Sequence, residues 1–212
     1  SILSLTPGRY AGLPDKSGHY SVGIHPWETG DDMSQPLAQL ERIVSDPATV
    51  AVGETGLDRL RGAALDRQDE IFRRHIQLSE KFGKPLVIHQ VKALDLLLKA
   101  RKDCAPLQPW ILHGFRGNPQ MLAQLLDAPG RNPVYFSIGA KFNEAAVTLI
   151  PPDRLLVETD ESPLPIEEIL RKVAGTRREN PAALAATVNA NAMRLFPSLN
   201  SFSQSHPGKK KH

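Results

Sequence analysis

Short apolar runs alternate with longer stretches of helical period along this chain. Residues 2–5, 20–24, 49–53, 85–89, 110–113, 134–138 and 155–158 are β-rich runs and predict seven strands. Between them, residues 64–82 set Leu65, Ile71, Phe72, Ile76 and Leu78 at helical spacing opposite a charged face, and Gly83 supplies a stop. Asn118-Pro119 and Asn180-Pro181 each pair an N-cap with a first-turn proline, opening helices over 120–126 and 182–195. Weaker helical patterns cover 35–45, 93–101, 144–149 and 166–173. Strand and helix in strict alternation predict an α/β fold of repeated βα units, a (β/α)8 TIM barrel. Seven visible strands are one short of closure. The first strand is therefore expected to be missing from this chain, upstream of Ser1, leaving an open seam between the first and last visible strands. One barrel domain over residues 1–197 and a disordered polar, basic tail over 198–212 are expected.

Four of the runs lead into a residue that can hold a metal ion: Glu54, His89, His113 and Asp160. Parallel strands of a barrel gather such side chains at the mouth formed by their carboxyl ends. Two imidazoles and two carboxylates there predict a site for one or two divalent ions, with Mg, Mn or Zn all compatible with the donors. Each residue also has a plainer reading. Glu54 could pair with an arginine, the histidines could be core or capping groups, and Asp160 could cap a helix before Ser162-Pro163. Asn143 is expected to cap a helix while lining the mouth. Trp27, Arg59, Arg61, Arg116 and Lys141 each follow a strand end by a few positions and are candidates to surround that mouth. His75, inside the helical stretch 64–82, and His19 receive no site role.

The 212 residues, 41% of them hydrophobic, suffice for one sizeable core. The formal charge of +3 equals the contribution of Lys209, Lys210 and Lys211, so it gives no ground for a basic nucleic-acid-binding body. Cys104 is the only cysteine, which excludes an intrachain disulfide and a cysteine zinc site and favours a reducing compartment. No run approaches the about 18 apolar residues of a membrane span, and the amino terminus lacks the pattern of a signal peptide. A cytoplasmic location without a membrane partner is expected.

The motifs GIHPW (23–27), GETGLD (53–58), VIHQ (87–90), LHGF (112–115) and ETDESP (158–163) occur in the order and spacing of TatD-family metal-dependent hydrolases, and NANAMRLF (189–196) resembles that family's last helix. The resemblance implies a barrel hydrolase that cleaves phosphodiester bonds, commonly a deoxyribonuclease acting on DNA, by attack of a metal-activated water. By motif matching, Glu54 bridges two ions, His89 and His113 ligate one, and Asp160 ligates the other and orients or deprotonates the water. Glu54 and Asp160 would thus be the catalytic pair. His25, Asn143 and Arg116 are expected to contact substrate, although the His25-Pro26 turn can equally be architectural. Two departures stand out. The family carries an HxH pair at the end of its first strand, and no HxH occurs here; either the pair lies upstream or part of the metal shell is lost. Where the family often reads HSRDA, this chain has His89-Gln90-Val91-Lys92-Ala93, without the arginine. An amide, ester or lactone hydrolase on the same barrel, and a metal-poor barrel without catalysis, are the alternatives.

Overall fold

The computed structural model describes residues 1–200. Seven strands form one sheet in chain order: β1 (Leu3–Leu5), β2 (Tyr20–Val22), β3 (Thr49–Asp58), β4 (Leu86–Val91), β5 (Trp110–Leu112), β6 (Val134–Ile138) and β7 (Leu155–Val157). Every neighbouring pair is parallel. Helical crossovers return the chain each time to the same end, α1 (Pro7–Ala11), α2 (Ser34–Val44), α3 (Leu65–Phe82), α4 (Leu94–Cys104), α5 (Pro119–Leu126) and α6 (Glu144–Leu149), and α7 (Ile166–Arg177) and α8 (Pro181–Leu195) follow β7. The carboxyl ends of the strands therefore share one rim, as in a TIM barrel. Among the described residues β1 and β7 each pair on one side only, so the curled sheet has the open seam expected from the strand count.

Alternation along the strands sorts the core into two layers. Trp110, Leu112, Val134, Phe136 and Leu155 pack outward into the cluster shared with the helices. Val50, Ile111, Tyr135 and Leu156 form a second cluster closed by Leu195 and Phe196 at the end of α8. The asparagines behave as their sequence context requires. Asn118, Asn143 and Asn180 accept from Met121, Ala146 and Ala182 backbone N–H groups at 2.9, 3.0 and 2.8 Å, capping α5, α6 and α8. Gly83 ends α3 in the left-handed region, at φ 64°.

Two differences from the sequence reading matter. The short helix α1 was not expected; Thr6 caps it through Arg9 N–H at 3.4 Å and Pro7 opens it. More important, β3 does not stop at Gly53 but continues to Asp58, which places Glu54 inside a strand rather than at its end. The pairing Val52↔Leu86 is followed by Thr55↔Ile88, so β3 spends one more residue than β4 over this step. That bulge is a device for re-aiming a side chain, and Glu54 sits in it. Gly53 (φ 134°) and Gly56 (φ 138°) make it possible. A Cβ at Gly53 would overlap the Val87 carbonyl oxygen, and one at Gly56 the His89 carbonyl oxygen. Of the expected tail, residues 198–200 belong to a 3-10 turn that starts at Pro197; 201–212 lie outside the described residues.

Candidate metal centre

The bulge in β3 points Glu54 into the rim, where three imidazoles meet one of its oxygens. Glu54 Oε1 lies 3.1 Å from His113 Nε2, 3.2 Å from His89 Nδ1 and 3.3 Å from His25 Nε2. His89 comes from within β4, His113 from the residue after β5, and His25 from the loop after β2. Glu158, just past β7, accepts from Gly114 N–H at 2.7 Å and lies 2.8 Å from His113 Nδ1. Asp160, in the next turn, has Oδ2 3.9 Å from His113 Nε2 and adopts a left-handed backbone with φ 49°. Two triads result, His25/Glu54/His89 and His113/Glu158/Asp160, each with ligand-type atoms within 4.8 Å of one another.

The far nitrogens of the imidazoles are occupied. His89 Nε2 lies 3.2 Å from Asp58 Oδ2, and the same oxygen accepts from Trp27 Nε1–H at 2.7 Å. His113 has Glu158 behind its Nδ1. These arrangements leave His89 Nδ1 and His113 Nε2 as the nitrogens that face the Glu54 carboxylate, each sharing a proton with it here and able to offer a lone pair to a cation in the proton's place, the carboxylate–histidine arrangement of metal sites. His25 differs. Its Nδ1 accepts from Trp27 N–H at 3.3 Å, so a neutral ring carries its proton on Nε2 and donates it towards Glu54.

The plainer readings can now be compared with geometry. Glu54 has histidines as partners, not an arginine. Asp160 makes no cap, because α7 starts at Ile166 with Pro165 before it. His25 takes its architectural reading as cap of the turn Pro26–Glu28, and its Nε2 also faces Glu54. Asn143 spends its amide oxygen on capping α6. Arg116 and Lys141 are exposed, whereas Arg59 is engaged by Asp95 at 2.8 Å. The guanidinium of Arg61 sits 3.8 Å from the Trp27 ring centroid. Sequence reasoning gave no role to Glu158 or Asp58, although both stand inside the quoted motifs.

Burial disfavours charge throughout this pocket, yet mutual pairing outweighs it. Glu54 is held well below the usual carboxylate range: burial opposes ionisation, but hydrogen bonds from His113, His25 and His89 overcome it. His113 is pushed up to about 11, with burial again opposing and the Glu158 and Glu54 carboxylates prevailing. Asp160, which lacks such donors, is raised by burial.

Helix α3 pins this rim from behind with two polar residues on its hidden face. Gln68 accepts from Asp58 N–H at 2.7 Å and donates to the Asp58 carbonyl at 3.0 Å. His75, fully buried, accepts from Ile24 N–H at 2.9 Å through Nε2 and contacts the Ile71 carbonyl at 2.8 Å through Nδ1. Burial pushes His75 down to about 4, against about 6.5 in an unfolded chain. Between those values the unfolded state binds more protons, so the contribution of His75 to stability is complete above pH 6.5 and falls by about 3 kcal/mol as pH drops to 4. Urea midpoints at pH 7 and pH 4 should show this loss in the parent protein and a visibly smaller one in His75→Asn.

A family model described as TatD related DNase matches residues 10–197. The chain belongs to this family. Its membership makes it a metal-dependent hydrolase, the enzyme class expected from the motifs. The TatD-family chain is 33% identical to a protein of Mycobacterium tuberculosis named uncharacterized metal-dependent hydrolase TatD, over 86% of this chain and 77% of that one. It is 33% identical to the uncharacterized metal-dependent hydrolase YcfH of Escherichia coli K12, over 92% and 82%. A protein of Erwinia billingiae named 3'-5' ssDNA/RNA exonuclease TatD is 29% identical, over 83% and 76%. The crystal structure of YjjV, a TatD homologue from Escherichia coli K12, shares the fold with a TM-score of 0.78 at 20% identity, covering 92% of this chain and 85% of that one. Among the described residues of this TatD-family chain, no helix is long and apolar enough to cross a membrane.

Proposed function

We propose that this hydrolase cleaves phosphodiester bonds in nucleic acid as a deoxyribonuclease, with divalent metal held by Glu54, His89, His113 and Asp160. The supporting observation is a single Glu54 oxygen ringed by three imidazole nitrogens, beside a second triad on the same rim. The donors are all carboxylate oxygen and imidazole nitrogen, a set that fits Mg²⁺, Mn²⁺ or Zn²⁺. When bound, such ions supply positive charge that activates water and offsets charge building on the phosphoryl oxygens. Glu54 and Asp160 are the catalytic carboxylates of this reading. Asp160, raised by burial, takes the proton of the attacking water at its carboxylate. His25 offers its Nε2–H to a phosphate oxygen, with the ring fixed through Nδ1. Asn143 has its NH₂ group left for substrate, and Arg116 adds an exposed positive charge at the rim. Relatives named 3'-5' ssDNA/RNA exonuclease make single-stranded DNA the first substrate to try.

The test is a panel of single-stranded DNA, an aryl phosphodiester and an aryl ester, each with added Mg²⁺, Mn²⁺ or Zn²⁺ and each repeated in EDTA. DNA and phosphodiester should be cleaved, activity should vanish on chelation and return with added ion, and Asp160→Ala should cut the rate by about 10²–10³-fold. Cleavage that persists in EDTA, or that Asp160→Ala leaves unchanged, rejects the reading. Turnover of the ester alone would transfer the site to carbonyl substrates.

A further inference from the structure

We propose that Asp58, held by Trp27, is a positioning residue that commits His89 to presenting Nδ1 to the metal centre. The inference rests on the metal site of the functional reading and assigns a task to two residues outside the ligand set. Asp58 is the last residue of β3, and its side chain is only 4% exposed. A carboxylate buried that deeply needs its charge met. Here the fixed donors are Trp27 Nε1–H at 2.7 Å and Leu60 N–H at 2.8 Å, with His89 Nε2 at 3.2 Å. Gln68 fixes the Asp58 backbone on both its N–H and its carbonyl side. The oxygen facing His89 therefore has little freedom of its own.

That rigidity acts on the imidazole. With a carboxylate behind Nε2, a neutral His89 keeps its proton on that nitrogen, and Nδ1, which faces Glu54, has its lone pair to offer a cation. Remove the carboxylate and the ring is free to carry its proton on Nδ1, which would close the lone pair to a cation. Glu158 stands in the same relation to His113 with the ring nitrogens exchanged, so the two histidines are presented through opposite atoms. Trp27 adds a steric guide as well as a donor. Its ring meets His89 edge to face at 5.5 Å between centroids and His25 at 4.5 Å, and Arg61 covers it.

Calorimetric titration with Zn²⁺ of the parent protein, Asp58→Asn and Trp27→Phe tests this, together with melting of each metal-free protein and the Co²⁺ absorption spectrum. Asp58→Asn should weaken Zn²⁺ binding by about 10–100-fold, the range for loss of a group orienting a ligand, and shift the Co²⁺ band. Trp27→Phe, which keeps the carboxylate, should weaken binding several-fold and shift the Co²⁺ band in a protein that still melts in one transition. Affinity of Asp58→Asn within twofold of the parent overturns the inference alone. Zn²⁺ uptake absent from the parent overturns it together with the functional reading. If Asp58→Asn does not fold, Trp27→Phe decides: unchanged affinity rejects the inference, and a several-fold loss with a shifted Co²⁺ band in a protein that still folds upholds it.

Discussion

Glu54→Gln is expected to lower kcat/KM by about 10³-fold and to erase stabilisation by divalent ions. Three imidazoles converge on one oxygen of this carboxylate, so the substitution removes the charge they share and can turn an NH₂ group towards nitrogens that also carry protons. An ion that binds only the folded chain stabilises it by about 2.7 kcal/mol at a hundred times its Kd. The parent protein should gain that amount on adding Mn²⁺ or Zn²⁺, and Glu54→Gln should gain almost none. Melting curves with and without ion separate this from a folding defect, because the gain on adding ion is read for each protein against its own metal-free curve. A variant stabilised by metal as strongly as the parent would remove Glu54 from the centre.

Gly56→Ala is expected to cost about 4 kcal/mol of stability, a large share of the about 5–15 kcal/mol available to a domain. Two penalties combine. At φ 138° an alanine is strained by about 1–3 kcal/mol, and its Cβ overlaps the His89 carbonyl oxygen, a clash worth a similar amount. The melting temperature should drop by about 8–16 °C for a chain of this size. Gly175→Ala is the control, since a Cβ there meets nothing within 4 Å and α7 should gain about 0.5–1 kcal/mol. Equal melting temperatures for Gly56→Ala and the parent would mean that β3 and β4 can move apart at the bulge.

The strands were legible because each is an apolar run ended by a polar or turn residue, and the helices because their apolar positions repeat at helical spacing. The extension of β3 was not, since Gly53, Glu54, Thr55 and Gly56 have no strand signature of their own. Their conformation comes from pairing with β4, a tertiary effect that local pattern does not carry. The convergence of Glu54, His89, His113 and Asp160 on one rim followed from strand order. Asp58 and Glu158 were invisible in their roles because each acts on a histidine from a different strand, across a separation no spacing rule reports. His75 and Gln68 left a fainter trace: polar residues at core positions of a mostly apolar helical face.

The two triads are not anchored alike. Glu54 and His89 grow from β3 and β4, each clasped by a strand on either side, while Glu158 and Asp160 hang from β7 at the margin of the sheet. Asn191 of α8 holds that margin, donating to the Pro152 and Leu155 carbonyls at 2.8 and 2.9 Å. The Asp160 arm thus leans on a helix side chain where the Glu54 arm leans on paired strands.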